Sequence, residues 1–239
     1  MKSIFILLTF FCCFAYDSSA QWSLYQAFEY PRDKFSDRFI FDTTHHNNSW
    51  QIGRPQKSIF DSAYSKPNAI VTDTVNPYPT NDTSVFVVKC VKDLQHRAVL
   101  GFGFHYRLHI DSGDYGKVEV SGDGGVNWID IVDDYTTYDF QWLGIDGKPQ
   151  FDKTTNGWKE LKVDMSKWGL HDTSSHKYPS YVTADTFLIR VTFISDSIPT
   201  TYRNGWIIDD FFYEDWYESV ETISNNNLIS IYPNPAQDR

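Results

Sequence analysis

The chain has 239 residues, 17% of them aromatic, and a formal net charge of −10 at pH 7. Because an acidic surface repels phosphate groups, the charge excludes nucleic acid from the expected partners. The length allows one large domain with its own core, and the aromatic content favours strands over helices.

The first segment of the chain has the pattern of a secretory signal peptide. One lysine precedes an apolar run over residues 4–15, and small residues follow at Ser18 and Ala20. The run is shorter than the roughly 20 apolar residues that a membrane helix needs. We therefore predict a signal peptide over residues 1–20, cleaved after Ala20, and a secreted or cell-surface protein without a membrane span.

The middle of the chain alternates apolar and polar residues with the period of a β-strand. Every second residue from Leu100 to Ile110 is apolar, which indicates one long half-buried strand. Turn residues separate the segments, and no long amphipathic helix is visible. The sequence predicts an all-β fold over residues 21–218, a jelly-roll β-sandwich of two antiparallel sheets. Further strands are expected to begin at Ser84, Lys117, Asn127, Lys159, Thr186 and Gly205.

A glycine-rich turn lies in residues 118–131, whose sequence is VEVSGDGGVNWIDI. It contains the S-x-D-x-G-x-x-W pattern known as an Asp box, which recurs in sialidase propellers. Asp123 can accept backbone N–H bonds in the turn, and Trp128 can pack on the following strand. A propeller would repeat the pattern in each blade, whereas it occurs once here, so we interpret it as a structural hairpin.

The histidines do not predict a metal centre. His105 and His109 share one face of a strand but are about 13 Å apart, too far to bind one ion. His45 and His46 lie in a polar loop without a Cys or Glu neighbour, and the common catalytic motifs are absent from the sequence. We therefore expect a protein that is not an enzyme. The alternative is a glycoside hydrolase, or an accessory domain of a secreted hydrolase or peptidase.

Two acids stand inside the apolar segment GWIIDDFFYED, at Asp209 and Asp210. Adjacent strand residues face opposite ways, so at least one carboxylate is expected to point into covered structure. A buried carboxylate needs hydrogen-bond donors or a cation to offset its desolvation. Two alternatives follow: backbone amides of a neighbouring strand, or a structural calcium ion.

An ordered series of motifs carries a family resemblance across residues 24–215. AFEY, SWQIGRP, DSAYSKPNAIVTD, VEVSGDGGVNW, FLIRVTFISDS and NGWIIDDFFYED together resemble the MAM-like, concanavalin-type jelly-roll domains of secreted bacterial proteins. The resemblance implies a structural Ca²⁺ between the first strand's FE and the last strand's DD. Many members of the family have S-G-N-A-W where this chain has SKPNAI, and the missing tryptophan argues against a sugar-stacking surface at that loop. The metal ligands implied are Glu29, Asp73, and Asp209 or Asp210, with Asp82 as a weaker addition.

The composition changes near Glu218, where an Asn-rich linker is followed by NLISIYPNPAQDR. This tail is similar to the start of the C-terminal sorting domain read by the type IX secretion system. The resemblance implies that secretion machinery as a partner. Residues 219–239 are too short to fold alone, so we predict a linker followed by the beginning of a sorting domain.

These features favour a non-catalytic binding or adhesion module whose partner is a glycan or an extracellular protein. Aromatic side chains in loops can stack on sugar rings or on a protein surface. The candidate ligand-binding residues are Trp142, Tyr138 and Tyr178.

Overall fold

The computed structural model describes residues 22–29, 37–44, 48–91, 99–134, 141–143, 148–165, 186–198 and 203–215. The predicted signal peptide, the tail from residue 219, His45, His46, Tyr138 and Tyr178 lie outside the described residues.

The described residues form twelve β-strands and no helix. The longest strands coincide with the segments of strict alternation. Their bounds are β1 Trp22–Gln26, β2 Phe39–Phe41, β3 Trp50–Gly53, β4 Ala69–Thr72, β5 Thr83–Val91, β6 Val99–His109, β7 Tyr115–Ser121, β8 Ile129–Asp130, β9 Gln141–Trp142, β10 Lys159–Asp164, β11 Thr186–Ile194 and β12 Gly205–Asp215.

The strands build two antiparallel sheets. Sheet A has the order β3-β4-β12-β6-β10-β9, and β1 pairs with β12 beside this path. Sheet B has the order β2-β5-β11-β7-β8. The predicted two-sheet antiparallel β-sandwich is confirmed.

An aromatic core fills the space between the sheets. Phe39 of sheet B contacts Phe211 of sheet A edge to face, with ring centroids 5.7 Å apart. Trp50 of sheet A meets Phe86 of sheet B in the same way at 5.0 Å. Edge-to-face contact is a favoured geometry for aromatic pairs, and it ties the two sheets together. On β6 the even-numbered residues from 102 to 108 are buried, as the alternation predicted.

Strand β12 changes its partner at the two acidic residues. Its first part pairs with β4 through Ile207 and Ile208, and its second part pairs with β1 from Phe211 onward. The register with β6 shifts between Asp209 and Phe212, which marks a β-bulge. Asp210 has a φ of 51° within this bulge. The chain thus breaks its regular pairing where the carboxylates lie.

A second, smaller core lies on the outer face of sheet A, beneath residues 54–68, which we call the cover segment. Lys57 anchors this segment, because its buried Nζ donates to the carbonyls of Thr72 and Asn204, both at 2.5 Å. Burial lowers the pKa of Lys57 to about 8, and the charge of Asp73 opposes that shift. The small core consists of Phe60, Ala63, Ala69, Val71 and Ile207, with Trp158 packed against it.

The Asp box forms the predicted hairpin between β7 and β8. Asp123 Oδ1 accepts the backbone N–H groups of Val126 at 3.1 Å and Asn127 at 2.9 Å. Gly124 follows with a φ of 75°, a conformation that costs a glycine little. Trp128 lies against the guanidinium of Arg190 on β11, 4.1 Å from the ring centroid. The carboxylate of the motif is therefore occupied in closing its own turn.

Candidate functional site

The outer face of sheet A carries the residues that alternate with the core positions. Because the even-numbered side chains of β6 face the core, its odd-numbered ones face outward. The pairing of β6 with β10 and β12 aligns these outward positions in rows. The rows are Lys162, Gly103 and Phe212; Glu160, His105 and Asp209; and Arg107 with Ile207.

Tyr64 of the cover segment lies over the middle row. Its ring is parallel to the imidazole of His105, with centroids 3.8 Å apart and an interplanar angle of 10°. Trp158 meets the same ring edge to face at 5.5 Å. Tyr64 remains 48% exposed, so the stack presents aromatic surface to solvent. We call Tyr64, Trp158, His105, Glu160, Lys162 and Phe212 the Tyr64 surface.

Phe212 extends this surface along the sheet because Gly103 has no side chain. A Cβ built at Gly103 would lie 2.5 Å from Phe212 Cζ, so the phenyl ring crosses directly over the glycine. Lys162 Nζ stands 5.7 Å from the centroid of the same ring. Aromatic and charged groups therefore lie side by side on the outer face of sheet A.

Both acidic side chains of β12 lie beneath the cover segment. Asp209 is 0% and Asp210 5% exposed. The backbone N–H of Ser65 donates to Asp209 Oδ2 at 2.8 Å. The Ser65 hydroxyl lies 3.1 Å from Asp209 Oδ2 and 2.7 Å from Asp210 Oδ1. The prediction that at least one carboxylate is covered is confirmed, and Ser65 of a loop supplies donors instead of a neighbouring strand.

The surface and the buried acids are connected through His105. Its Nδ1 is 3.7 Å from Asp210 Oδ2, while its ring carries Tyr64. Burial raises the pKa of Asp209 to about 7; the hydrogen bonds from Asp210 and Ser65 oppose this rise, and the negative charge of Asp210 adds to it. A single group of contacts thus joins Tyr64, His105, Ser65 and the two carboxylates.

Glu29 follows the strand that joins β12 at the bulge. Its Oε1 is buried and has no hydrogen-bond partner among the described atoms. The preceding carbonyl, that of Phe28, accepts a hydrogen bond from Asn68 Nδ2 at 3.1 Å, which holds this end of the chain against the cover segment. The backbone next to Glu29 is therefore held against the cover segment, whose Ser65 contacts Asp209 and Asp210.

The other implied metal ligands lie elsewhere. Asp73 caps a turn, accepting N–H bonds from Val75 at 2.8 Å and Asn76 at 2.7 Å. The register of β4 with β12 puts Asp73 level with the start of β12, four residues and about 13 Å from Asp209. Asp82 accepts the hydroxyl of Ser84 at 2.5 Å at the start of β5 in sheet B. In the part of the chain that the structure describes, no three His, Cys, Asp or Glu side chains form a metal-binding group.

Among the predicted ligand-binding aromatics, only Trp142 falls within the described residues. It lies on the short edge strand β9, is half-buried, and packs against the main core. The prediction for Tyr138 and Tyr178 stays untested. Tyr64 and Trp158 are not among the predicted ligand-binding aromatics, because the sequence does not show that the cover segment packs over His105. The one signal in the sequence is that Tyr64 directly precedes the SKPNAI loop.

No protein-family model matches the chain, and no curated protein matches it in sequence. Among solved structures it is similar to the CBM22-1 xylan-binding domain of Paenibacillus barcinonensis Xyn10C, at 12% identity and a TM-score of 0.40, over 81% of this chain and 93% of that domain. It is also similar to a candidate sugar-binding protein from Bacteroides thetaiotaomicron, at 10% identity and a TM-score of 0.34, over 74% of this chain and 87% of that one.

Within the described residues no helix is long and apolar enough to cross a membrane. The MAM-like and sorting-domain resemblances stay predictions.

Proposed function

We propose that the protein is a non-catalytic glycan-binding module and that the Tyr64 surface is its binding site. One observation carries the proposal: a 48% exposed tyrosine ring is held flat against His105 on the outer face of sheet A. The apolar face of a sugar ring packs on such an aromatic plane, while a few polar groups fix its orientation. Glu160 and Lys162 supply an acceptor and a donor on the same face.

The ring of Tyr64 is fixed before a ligand arrives. Immobilising a free side chain on binding costs roughly 0.5–1.5 kcal/mol. Here the His105 stack, the Trp158 contact and the anchoring of Ser65 already restrict the cover segment. Because folding already restricts the Tyr64 side chain, little of its conformational entropy is left to lose on binding. This favours affinity for a rigid flat ligand.

The hydrolase alternative draws no support from three carboxylates that the sequence singles out, those of Asp123, Asp209 and Asp210. Asp123 is engaged by N–H groups of its own hairpin. Asp209 and Asp210 are closed off from solvent by the cover segment, so a dissolved glycan has no access to them. A glycosidase needs two carboxyl groups that flank an accessible substrate.

The secreted or cell-surface location and the type IX secretion partner rest on the sequence and are part of the proposal.

A structural calcium ion beside Asp209 and Asp210 is a further part of the proposal. The residues fit in part: the buried carboxylates of Asp209 and Asp210 share the Ser65 hydroxyl, and Glu29 Oε1 is buried without a hydrogen bond among the described residues, while Asp73 is distant. Calcium prefers several oxygen ligands, and its charge would offset the desolvation that raises the pKa of Asp209. Its role would be to hold the cover segment, and Tyr64 with it, in place.

The binding proposal is tested on a glycan array with the full chain and with Tyr64→Ala. We expect the native chain to bind at least one class of glycan and the variant to lose that signal. Ile59→Ala is the matched control, since Ile59 is 38% exposed in the same cover segment. Binding that survives loss of the Tyr64 ring would contradict the assignment of this surface.

A further inference from the structure

A second exposed aromatic residue, Tyr115, lies at the start of β7 between two clefts. Its side chain is 42% exposed. One cleft, of about 530 Å³, lies between residues 110–115 and 152–154. The other, of about 350 Å³, lies between residues 115–118, 130–133 and 148–152. Tyr115 and Asp152 line both clefts, so the two clefts adjoin each other at the tyrosine, and we call them together the depression around Tyr115.

The walls of this depression are held by hydrogen bonds. The Thr154 hydroxyl accepts the N–H of Ile110 at 3.0 Å and donates to its carbonyl at 2.9 Å. The N–H of Gly116 donates to the carbonyl of Phe151 at 2.7 Å. Trp206 supports the floor, since a Cβ at Gly116 would lie 2.2 Å from its ring. The clefts are thus formed by fixed backbone, and a ligand entering them has little to reorganise.

The charged residues that line the clefts indicate whether a neutral or an anionic sugar would bind there. Five aspartates and three lysines line the clefts; Asp114 and Asp130 are buried, whereas the exposed Asp152 stands between the clefts. Such a surface offers acceptors and donors to hydroxyl groups and repels carboxylated or sulfated sugars. The charged lining residues are Asp111, Asp114, Asp130, Asp133, Asp152, Lys117, Lys148 and Lys153.

We infer that the depression around Tyr115 is a second glycan-binding site, specific for neutral oligosaccharides. A sugar ring stacks on Tyr115, and its hydroxyls bond to Asp152 and to the polar groups of the two clefts. The cleft volumes lie in the range of small-molecule sites. Tyr115 belongs to sheet B and Tyr64 covers sheet A, so the inference needs no contribution from the Tyr64 surface.

Two sites on one domain have a measurable consequence for polymers. A polysaccharide long enough to reach from one site to the other presents further sugars to the second site at a high effective concentration. A long neutral glycan is therefore expected to bind more than about tenfold tighter than a hexasaccharide of the same linkage. A variant that retains one site loses this advantage.

The test is an NMR titration of the isotope-labelled full chain with neutral glucan, xylan, mannan and chitin hexasaccharides. We expect one of them to shift amide signals of residues 110–118 and 148–154. Tyr115→Ala is expected to abolish those shifts, and Asp152→Asn to weaken the same binding at least threefold. Both side chains are exposed, so the variants should fold, and Val126→Ala, at an 80% exposed position, is the control.

The outcomes separate this inference from the proposed function. Shifts near Tyr64 alone, unchanged by Tyr115→Ala, would overturn the second site and leave the proposed function standing. Shifts near Tyr115 alone would support the second site and overturn the assignment of the Tyr64 surface. Shifts at neither place with any of the four sugars would overturn both.

Discussion

The ring of Tyr64 and the imidazole of His105 form a parallel stack, 3.8 Å between centroids, that links the protein surface to its buried acids. His105 Nδ1 lies 3.7 Å from Asp210, and Ser65, next to Tyr64 in the chain, contacts Asp209 and Asp210. The exposed Tyr64 ring and the buried carboxylates are therefore joined through adjacent residues of one loop.

The Tyr64 ring is expected to supply much of the glycan affinity. Tyr64→Ala should weaken binding at least tenfold, because the aromatic plane is lost, whereas Tyr64→Phe should retain most of it. Isothermal titration calorimetry with the glycan found on the array measures both variants. Equal losses for alanine and phenylalanine would show that the hydroxyl, and not the ring, carries the interaction.

Ser65 is expected to position Tyr64. Ser65→Ala removes the hydroxyl shared by the two carboxylates, which should lower the free energy of unfolding by about 1–3 kcal/mol. It should also shift the NMR signals of the His105 ring, since the stack moves. Ser62→Ala, which removes an exposed hydroxyl bond in the same segment, is the matched control. A destabilised variant with unchanged His105 signals and glycan affinity would show that Ser65 is structural only.

The long strands were predictable because their side chains alternate without interruption. β11 begins and ends where the apolar pattern does, at Thr186 and Ile194. The strand expected from Asn127 shrinks to two residues, because Asp130 Oδ1 accepts the N–H groups of Val132 and Asp133 and closes a turn. Strands of two to four residues, such as β9, are too short to show a period.

The sequence predicted the candidate site only where the burial of a side chain follows directly from the strand pattern. At least one of two adjacent acids inside an apolar strand was expected to be covered, and both are. The bulge turns both carboxylates toward Ser65, which strict alternation does not predict. Tyr64 acquires its role from packing over a strand 41 positions further along the chain. A local pattern contains no information on such a contact.

The stability of the calcium-free protein should depend on pH through Asp209. Its folded-state pKa is raised to about 7 by burial, above the unfolded value of about 4. The folded state then binds the proton more tightly, so the free energy of unfolding should fall as pH rises from about 4 to 7 and level off above 7. Urea unfolding between pH 4 and 7 measures this change in the free energy of unfolding. Asp209→Asn should make the free energy of unfolding nearly constant over this range. An unchanged slope in the variant would show that other groups cause the pH dependence.

Calcium should stabilise the folded chain if it binds beside these carboxylates. A chelator is expected to lower the melting temperature and added calcium to restore it, with about 2.7 kcal/mol gained at a concentration of 100 Kd. Asp210→Asn should reduce the response, whereas Asp73→Asn should leave it intact because Asp73 caps a distant turn. A melting temperature that a chelator does not change would contradict the proposed calcium site.

Asp123 is expected to matter for folding and not for binding or turnover. Although partial burial raises its pKa, the hydrogen bonds from Asn127, Ser121 and Val126 together outweigh that and hold the pKa below the usual value. The stability that the Asp123 carboxylate gives to the folded state is therefore present above about pH 4 and is lost as pH falls through the lowered pKa.

Asp123→Ala should lower the free energy of unfolding by about 1–2 kcal/mol, as loss of a capping side chain does. Urea unfolding at pH 7 measures this. Glycan affinity should stay within twofold of native, because the turn lies in sheet B, away from Tyr64, and at the opposite end of β7 from Tyr115. Val126→Ala, at an 80% exposed position in the same hairpin, is the control. If Asp123→Ala left stability unchanged but abolished release of reducing sugar from any glycan, the hairpin would be part of an active site and the binding-module proposal would fail.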